Sequence, residues 1–427
     1  MHFRFNKITV NDWRQFHKID IEFHPKLTII TGANGSGKSS LLSILTQHFG
    51  WQRLFLGTPL KRRFNGSLRF LTGLRKRRQN NLHEYPVGSI EYLPAGQATL
   101  HTSAEALQYA VNIPHQRPVL GTFISSHRSI PFFQQIGTIQ VGAQSPDQAY
   151  GQFQNESIQR ANGHFHGSTP IFRMKEALVS MATFGPKTDF SYGDESALEV
   201  IHGFSKVLRE TMPPSLGFRS LSIRQTDVVL ETDSGNFLLD AASGGIMAIV
   251  DITWQIYMFS LTSPAKAGDG FVVVMDEPEN HLHPSMQRAL LSNLINAFPT
   301  AQFIVATHSP FMVSSVQDSA VYVLRYYEAN LDDSEIELDD GGPIKNLVIS
   351  ERLDVVNRAG SAGDILRDVL GVPVTIPLWV ESELESLVNE YRDLELTVEN
   401  LKTLKSRMAD LGFGELYPQA IARLVQE

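Results

Sequence analysis

Cysteine is absent from all 427 residues. That excludes disulfides, thiolate-held zinc, iron–sulfur clusters and cysteine nucleophiles together. Basic charge is also in deficit, with 37 Lys and Arg against 45 Asp and Glu and a formal net charge of −8. A uniformly basic coat for nucleic acid is therefore excluded, although a local basic surface is not. No uninterrupted apolar run approaches the ~20 residues of a membrane span. The opening MHFRFNKITVNDW has no apolar core of a signal peptide. The expectation is a cytoplasmic chain with no membrane attachment. Internal repeats and long heptad arrays are missing too, which leaves no room for an extended coiled coil. What is present is enough apolar residue, 42%, to bury a sizeable core. One large α/β domain with insertions and a smaller appendage fits this length.

Along the chain, Phe3 to Val10 and Ile19 to Phe23 read as paired antiparallel strands around a polar turn at Asn11 to Gln15. Leu27 to Gly32 (LTIITG) is a β-branched run of the kind buried in parallel sheets, and Ser39 to Phe49 follows with helical spacing. From Trp51 the composition shifts: Lys61, Arg62, Arg63, Arg69, Arg75, Lys76, Arg77 and Arg78 come with no acidic residue among them. Gln134 to Thr188 is rich in Gln, Gly, Ser and His, as loops and insertions are. Strands return over Ser222 to Asp240, turning at Ser234-Gly235-Asn236, and Ile246 to Phe259 is apolar almost all round, hence a buried helix. Phe271 to Met275 and Phe303 to Ala306 are short central strands flanking a helix over Ser285 to Ala297. Glu328 to Asp340 is acidic, and beyond Asp364 the pattern is helical. Leu384, Leu387, Val388 and Tyr391 form one stripe there, and a second helix over Thr397 to Leu411 is closed by Gly412.

Four elements carry chemistry. Gly32-Ala33-Asn34-Gly35-Ser36-Gly37-Lys38-Ser39 fits G-x-x-x-x-G-K-[ST] between strand and helix, with Ser40 opening the helix. Its glycines let main-chain N–H groups converge on phosphate oxygens, and the helix dipole points at the same place. Lys38 then reaches the β- and γ-phosphates of ATP, and the Ser39 hydroxyl coordinates Mg²⁺. Asp276 and Glu277 end an apolar strand, which delivers carboxylates to the edge where open α/β sheets bind ligands. Asp276 is the second metal-side residue and Glu277 the general base for the attacking water. His308, within Ala306-Thr307-His308-Ser309-Pro310, follows the next strand and is placed to sense the γ-phosphate. Ser243-Gly244-Gly245 opens the buried helix, serving either as an ordinary N-cap or as a contact for a γ-phosphate held by another subunit.

In this order the four elements resemble the ABC ATPase superfamily: Walker A, signature, Walker B with its glutamate, and switch histidine. The continuation DEPENHLHP, the ATHSP that follows and the opening strands look like the RecF/SMC-like branch that includes OLD-type and phage-defence ATPases. The resemblance covers about residues 1–50 and 220–315. It implies an α/β fold: an ABC-type P-loop NTPase head over 1–325 with N-terminal antiparallel strands and an inserted irregular or helical lobe at about 51–220. An acidic loop and a C-terminal helical segment then occupy 326–427. It also implies a homodimer or higher oligomer closed around ATP and Mg²⁺. Ile246 departs from the transporter pattern, which has Gln there, and Gln134, Gln135, Gln140 and Gln144 all compete for the Q-loop role. Ser125-Ser126-His127-Arg128 is a further nucleotide-side or interface candidate.

OLD-type proteins add a TOPRIM nuclease, but Leu378-Trp379-Val380-Glu381 reads better as the start of an amphipathic helix, and no DxD pair follows. No His follows His308, so an R-x4-H ribonuclease motif is missing as well. The expectation is a separately encoded effector, nuclease or toxin, as the resemblance to Septu, PARIS and retron-associated ATPases implies. The alternative is a RecF-like, ATP-dependent DNA clamp for repair. Lys61 to Arg78 fits nucleic-acid phosphates, an acidic partner face, a solvated loop, or the chain's own Glu328 to Asp340.

Overall fold

The computed structural model describes residues 3–61, 68–73, 84–103, 105–128, 132–165, 167–189, 192–266, 270–327, 347–354, 361–370, 377–392, 394 and 397–425. Most of the basic segment between Lys61 and Arg78, and the acidic stretch Glu328 to Asp340, lie outside these residues.

Two burial rhythms separate the strands. In β1 (Arg4–Trp13) and β2 (Phe16–Glu22) buried residues alternate with partly exposed ones, as in a sheet with one wet face. The hairpin turns tightly between Trp13 and Phe16, which pair directly. In β3 (Leu27–Gly32) every residue is buried, as a strand covered on both faces requires. The chain then adds β4 (Glu84–Leu93), β5 (Gln97–Ser103) and β6 (Gly121–Ile124). A separate three-stranded sheet holds β7 (Phe218–Arg224), β8 (Asp227–Thr232) and β9 (Phe237–Leu238). Last come β10 (Phe271–Asp276), β11 (Ala301–Ala306), β12 (Ala320–Tyr327) and β13 (Leu347–Arg352).

Ten strands form one sheet in the order β6-β10-β11-β3-β12-β13-β2-β1-β4-β5. From β6 through β12 all neighbours are parallel. Antiparallel pairs link β12 to β13 and run from β2 through β5, with β13 and β2 parallel between them. The result is a mixed α/β head. Residues 84–124, inside the stretch read from sequence as an inserted lobe, supply three of its strands.

Helix α1 (Lys38–Thr46) packs on β3, β10 and β11. Helices α2 (Pro146–Ala161), α3 (Pro170–Phe184) and α4 (Glu195–Thr211) gather around α5 (Gly244–Leu261), and α6 (Pro284–Ala297) joins β10 to β11. Among the described residues α5 is the one helix long and apolar enough to cross a membrane. The sequence reading did not single it out on that account. Its window is 78% buried inside the protein, so its apolarity serves the core. Lys175 of α3, 1% exposed, meets Asp227 at 2.7 Å and Asp240 at 2.6 Å, which ties the small sheet and the approach to α5 onto the helical cluster.

The chain divides into two compact units, residues 1–362 and 363–427, whereas the boundary expected near 325 falls within β12. The second unit is built on α7 (Leu378–Arg392) and α8 (Val398–Asp410). The stripe Leu384, Leu387, Val388 and Tyr391 closes on Leu404, Met408 and Phe413. Thr397 caps α8, and Gly412 just beyond its end takes φ 86. Leu378 to Glu381 open α7, so no TOPRIM-like strand stands there.

Candidate active site

Register alone brings the sequence-predicted residues to one edge. Asp276 pairs with Ala306, Ala306 with Ile30, and Gly32 with Leu324, so β10 and β11 end together, β3 ends two residues farther on, and β12 passes alongside it toward the same edge. The turns leaving that edge carry Glu277, His308 and the glycine loop. Ile124 pairs with Met275, so Ser125 to Arg128 leave the same edge.

The loop after β3 is tight for a physical reason. Gly32 sits at φ 143, and a Cβ there would stand 2.5 Å from the Leu324 carbonyl oxygen. Gly37 takes φ 98, with Phe16 and Gln15 filling the space a side chain would need. Asn34 and Gly35 form the exposed rim, braced by Gln15 Nε2 donating to Gly35 O (3.2 Å) and by the Tyr326 hydroxyl donating to Asn34 O (3.2 Å). Ser36 is fully buried, and among the described residues its hydroxyl has no partner. Lys38 and Ser40 lie in the first turn of α1, between the loop and the sheet. Lys38 Nζ donates to Gly32 O (3.0 Å) and Ala33 O (3.2 Å) and lies 3.5 Å from His308 Nδ1. Burial lowers its pKa to about 8, against the pull of Glu277, Asp276 and Glu279.

Across the loop, burial raises the Asp276 carboxyl, opposed by a hydrogen bond from Ser39. Among the described residues Asp276 Oδ1 is buried without a hydrogen-bond partner. A hydroxyl facing a half-satisfied buried carboxylate, beside a phosphate-type loop, fits Mg²⁺. That ion takes one or two protein oxygens and completes its shell with phosphate oxygens and water. Among the described residues no group of three or more His, Asp or Glu forms an all-protein metal cage.

Glu277 holds the left-handed φ of 47, a strained geometry for a residue with a Cβ. Its Oε1 lies 3.5 Å from His308 Nε2, and its Oε2 accepts from Asn280 Nδ2 at 3.1 Å. Burial and the nearby Lys38 ammonium lower the His308 pKa, so the imidazole is held neutral despite Glu277. Signals the sequence reading did not use fix this pair. Glu279 Oε1 accepts from the Thr307 hydroxyl and from His308 N–H, both at 2.7 Å, so the two turns are locked together. Thr31 Oγ1 donates to Thr307 O at 2.9 Å, joining the turns to β3. Their polarity inside otherwise apolar strand ends was the available clue.

Ser243 to Gly245 lie at the N-terminus of α5, where Ser243 Oγ accepts from Ile246 N at 3.4 Å. Ser243 and Gly244 are exposed and Gly245 partly so, which leaves amides and hydroxyl open to solvent. The four Gln residues weighed for a Q-loop lie past the edge. Gln134 donates to Gly167 O, and Gln144 is buried beside Ser180. The edge position is taken instead by the loop ending in Arg128, whose Nη2 donates to Asn280 O at 2.9 Å.

Residues 7–75 match the family described as AAA domain, and residues 256–314 the family described as AAA domain, putative AbiEii toxin, Type IV TA system. The two segments carry the glycine loop and the Asp276–His308 elements. At both segments the chain resembles AAA-domain ATPases. It is similar to the Retron Ec83 probable ATPase of Escherichia coli, 29% identical over 115 residues, which is 26% of this chain and 21% of that protein. It is also similar to the Septu protein PtuA of Bacillus mycoides, 34% identical over 86 residues, 20% of this chain and 12% of that one. The matched stretch thus spans about a fifth or less of these relatives. Among solved structures the SMC head domain from Thermotoga maritima aligns over 82% of this ATPase-like chain and 100% of that one, at 12% identity and TM-score 0.42.

Proposed function

We propose that this chain binds ATP with Mg²⁺ at the carboxyl edge of its parallel strands and hydrolyses it. Two copies close around the nucleotide, and that closure governs a separately encoded effector, a nuclease or toxin, in anti-phage defence. The observation that carries the catalytic part is the convergence of Lys38, Ser39, Asp276, Glu277 and His308 on one edge, with Asp276 Oδ1 buried and unpartnered. The names of the retron and Septu relatives support the defence setting.

The chemistry follows from the chain's own groups. Loop amides and the α1 dipole receive the phosphates, and Lys38 exchanges its contacts to Gly32 and Ala33 for phosphate oxygens. Ser39 and Asp276 would hold the metal, which when bound neutralises charge on those oxygens. Glu277 accepts the proton of the attacking water, oriented by Asn280 on one oxygen and His308 on the other. The exposed Ser243 and Gly244, with Gly245, supply donors to the γ-phosphate of a second copy, the geometry of an ATP sandwich.

Two variants test this. Lys38→Ala should abolish the heat of ATP binding in calorimetry. Glu277→Gln should keep binding, slow phosphate release by about 10³-fold, and shift the light-scattering mass to a dimer with ATP. Wild-type turnover by Glu277→Gln would remove the general-base assignment, and a monomer with ATP would remove the sandwich. Co-elution with a nuclease or toxin from a neighbouring gene tests the defence role, and a neighbourhood of repair genes alone would argue against it. The DNA-clamp alternative rests on Lys61 to Arg78 and requires ATP-dependent, salt-steep DNA binding that is lost on neutralising Arg75 to Arg78.

A further inference from the structure

We propose that Arg128 is a positioning residue for Glu277, bracing the turn after β10 from the loop after β6. The proposal rests on the reading of Glu277 as general base and goes beyond it by naming what aims that base.

Arg128 leaves the edge just past β6 and reaches under the catalytic turn. Its Nη2 donates to three main-chain carbonyls: Asn280 at 2.9 Å, Pro278 at 3.2 Å and Glu277 at 3.4 Å. That turn holds two non-glycine residues at positive φ, Glu277 at 47° and His281 at 73°. Such backbone persists only where surrounding contacts over-determine it, and one planar donor gathering three carbonyls is such a contact. The same loop also reaches the reactive side chain. Asn280 Nδ2 lies 3.4 Å from Ser126 O and 3.1 Å from Glu277 Oε2, so residues 126–128 bear on both the main chain and the carboxylate of Glu277.

Among the described residues, Arg128 Nε and Nη1 are buried without a partner. Burial lowers the Arg128 pKa, opposed first by Asp251 and then by Glu279 and Glu277. Asp251 belongs to α5, is 6% exposed, and accepts a bond from Gln255 at 3.3 Å. It lies about two helical turns from Ser243. Among the described residues, Glu279 Oε2 is buried without a partner, while its other oxygen fixes Thr307 and His308. Arg128 therefore holds the carbonyl of Glu277 itself, with the carboxylate of Asp251 in α5 among the charges acting on it.

The experiment is a double-mutant cycle in the full chain, read by steady-state phosphate release and by ATP calorimetry. Arg128→Gln should lower kcat by about 100-fold, the scale of an ångström-sized misplacement, with the ATP Kd changed by less than about threefold. In a Glu277→Gln background the same substitution should cost less than about threefold more, because the group it positions is gone. Asp251→Asn should lower kcat by about tenfold in the wild type and add nothing to Arg128→Gln. Unchanged kcat, equal losses in both backgrounds, or a Kd that weakens in step with kcat would each overturn the proposal. Where thermal melting shows Arg128→Gln unfolded, Arg128→Lys, which keeps the charge without the fork, carries the same cycle. Full turnover by Glu277→Gln alone overturns the general-base reading and this proposal with it. A crippled Glu277→Gln with additive Arg128 losses overturns only the proposal.

Discussion

The two halves of the ten-stranded sheet bury their polar groups to opposite ends. In the parallel half, from β6 to β12, burial raises the carboxyls of Asp276 and Glu279 and lowers Lys38 to about 8. These groups oppose one another in charge across one edge, and among the described residues some of their atoms have no partner. In the antiparallel half, from β2 to β5, the same physics acts on a sealed interior. Phe5, Ile8, Trp13, Phe16 and Ile90 are fully or almost fully buried around it. Desolvation there drops His48 to about 4, with no opposite charge among the causes. Burial alone therefore does not mark a site. What marks one is burial combined with opposed charges and unsatisfied atoms at an edge.

The largest effect that would break this contrast belongs to Asp276. Replacing it with Ala should cut turnover by about 10³-fold, roughly 4 kcal/mol of transition-state stabilisation. The melting temperature should hold or rise, since a desolvated carboxylate is removed. Phosphate release within tenfold of wild type would show that the edge holds its metal elsewhere. The antiparallel half should answer in the opposite sense. Ile90, 0% exposed between Ile8 and Ala98, should cost about 3 kcal/mol of stability as Ile90→Ala. Turnover per folded molecule should not change. A loss of kcat without a loss of stability would mean the two halves are coupled and the contrast is false.

The halves also differ in how much the sequence disclosed. The strand–loop–helix at Gly32 to Ser39 and the carboxylates closing β10 were legible because phosphate chemistry fixes both residue type and spacing. The apolar runs of β3, β10 and β11 were legible because burial on both faces leaves little room for polar residues. The presence of α7 was readable from one apolar stripe, and the boundaries of α8 from its capping glycine. β4 to β6 were not legible. β4 carries Gly88, whose bare α-carbon lets the Thr9 main chain approach, and polar residues on its wet face. Its pairing partner β1 lies far back in the chain, so nothing local announces the ladder. Arg128 was half-legible: its loop stood out after an apolar run, but main-chain acceptors leave no trace in side-chain patterns.

Next in size is His308. His308→Ala should lower kcat by about 10²-fold while ATP affinity moves only a fewfold. The wild-type pH profile should show the imidazole titrating below its ordinary range, since burial and Lys38 both oppose its charging. An affinity loss as large as the kcat loss would make it a binding residue instead.

The smallest effect concerns His48, and it tests whether the antiparallel half is inert in function while costly in acid. The ring is partly buried, bonded through Nδ1 to Leu45 O at 2.9 Å and through Nε2 to the Tyr92 hydroxyl at 2.9 Å, and packed edge-on against Phe5. Its folded pKa of about 4 lies below the ordinary 6.5, so between those values the unfolded chain binds the proton and the folded one does not. Stability is therefore full above pH 6.5 and falls as the pH drops toward 4. The loss amounts to about 2 kcal/mol between pH 7 and pH 5. His48→Gln, which cannot charge, should flatten that part of the urea-denaturation profile while leaving turnover at pH 7.5 intact. A profile as steep as the wild type's would place the acid sensitivity in groups other than His48, and not in Asp276 or Glu279, whose raised carboxyls take up protons in the folded chain first and so favour it in acid.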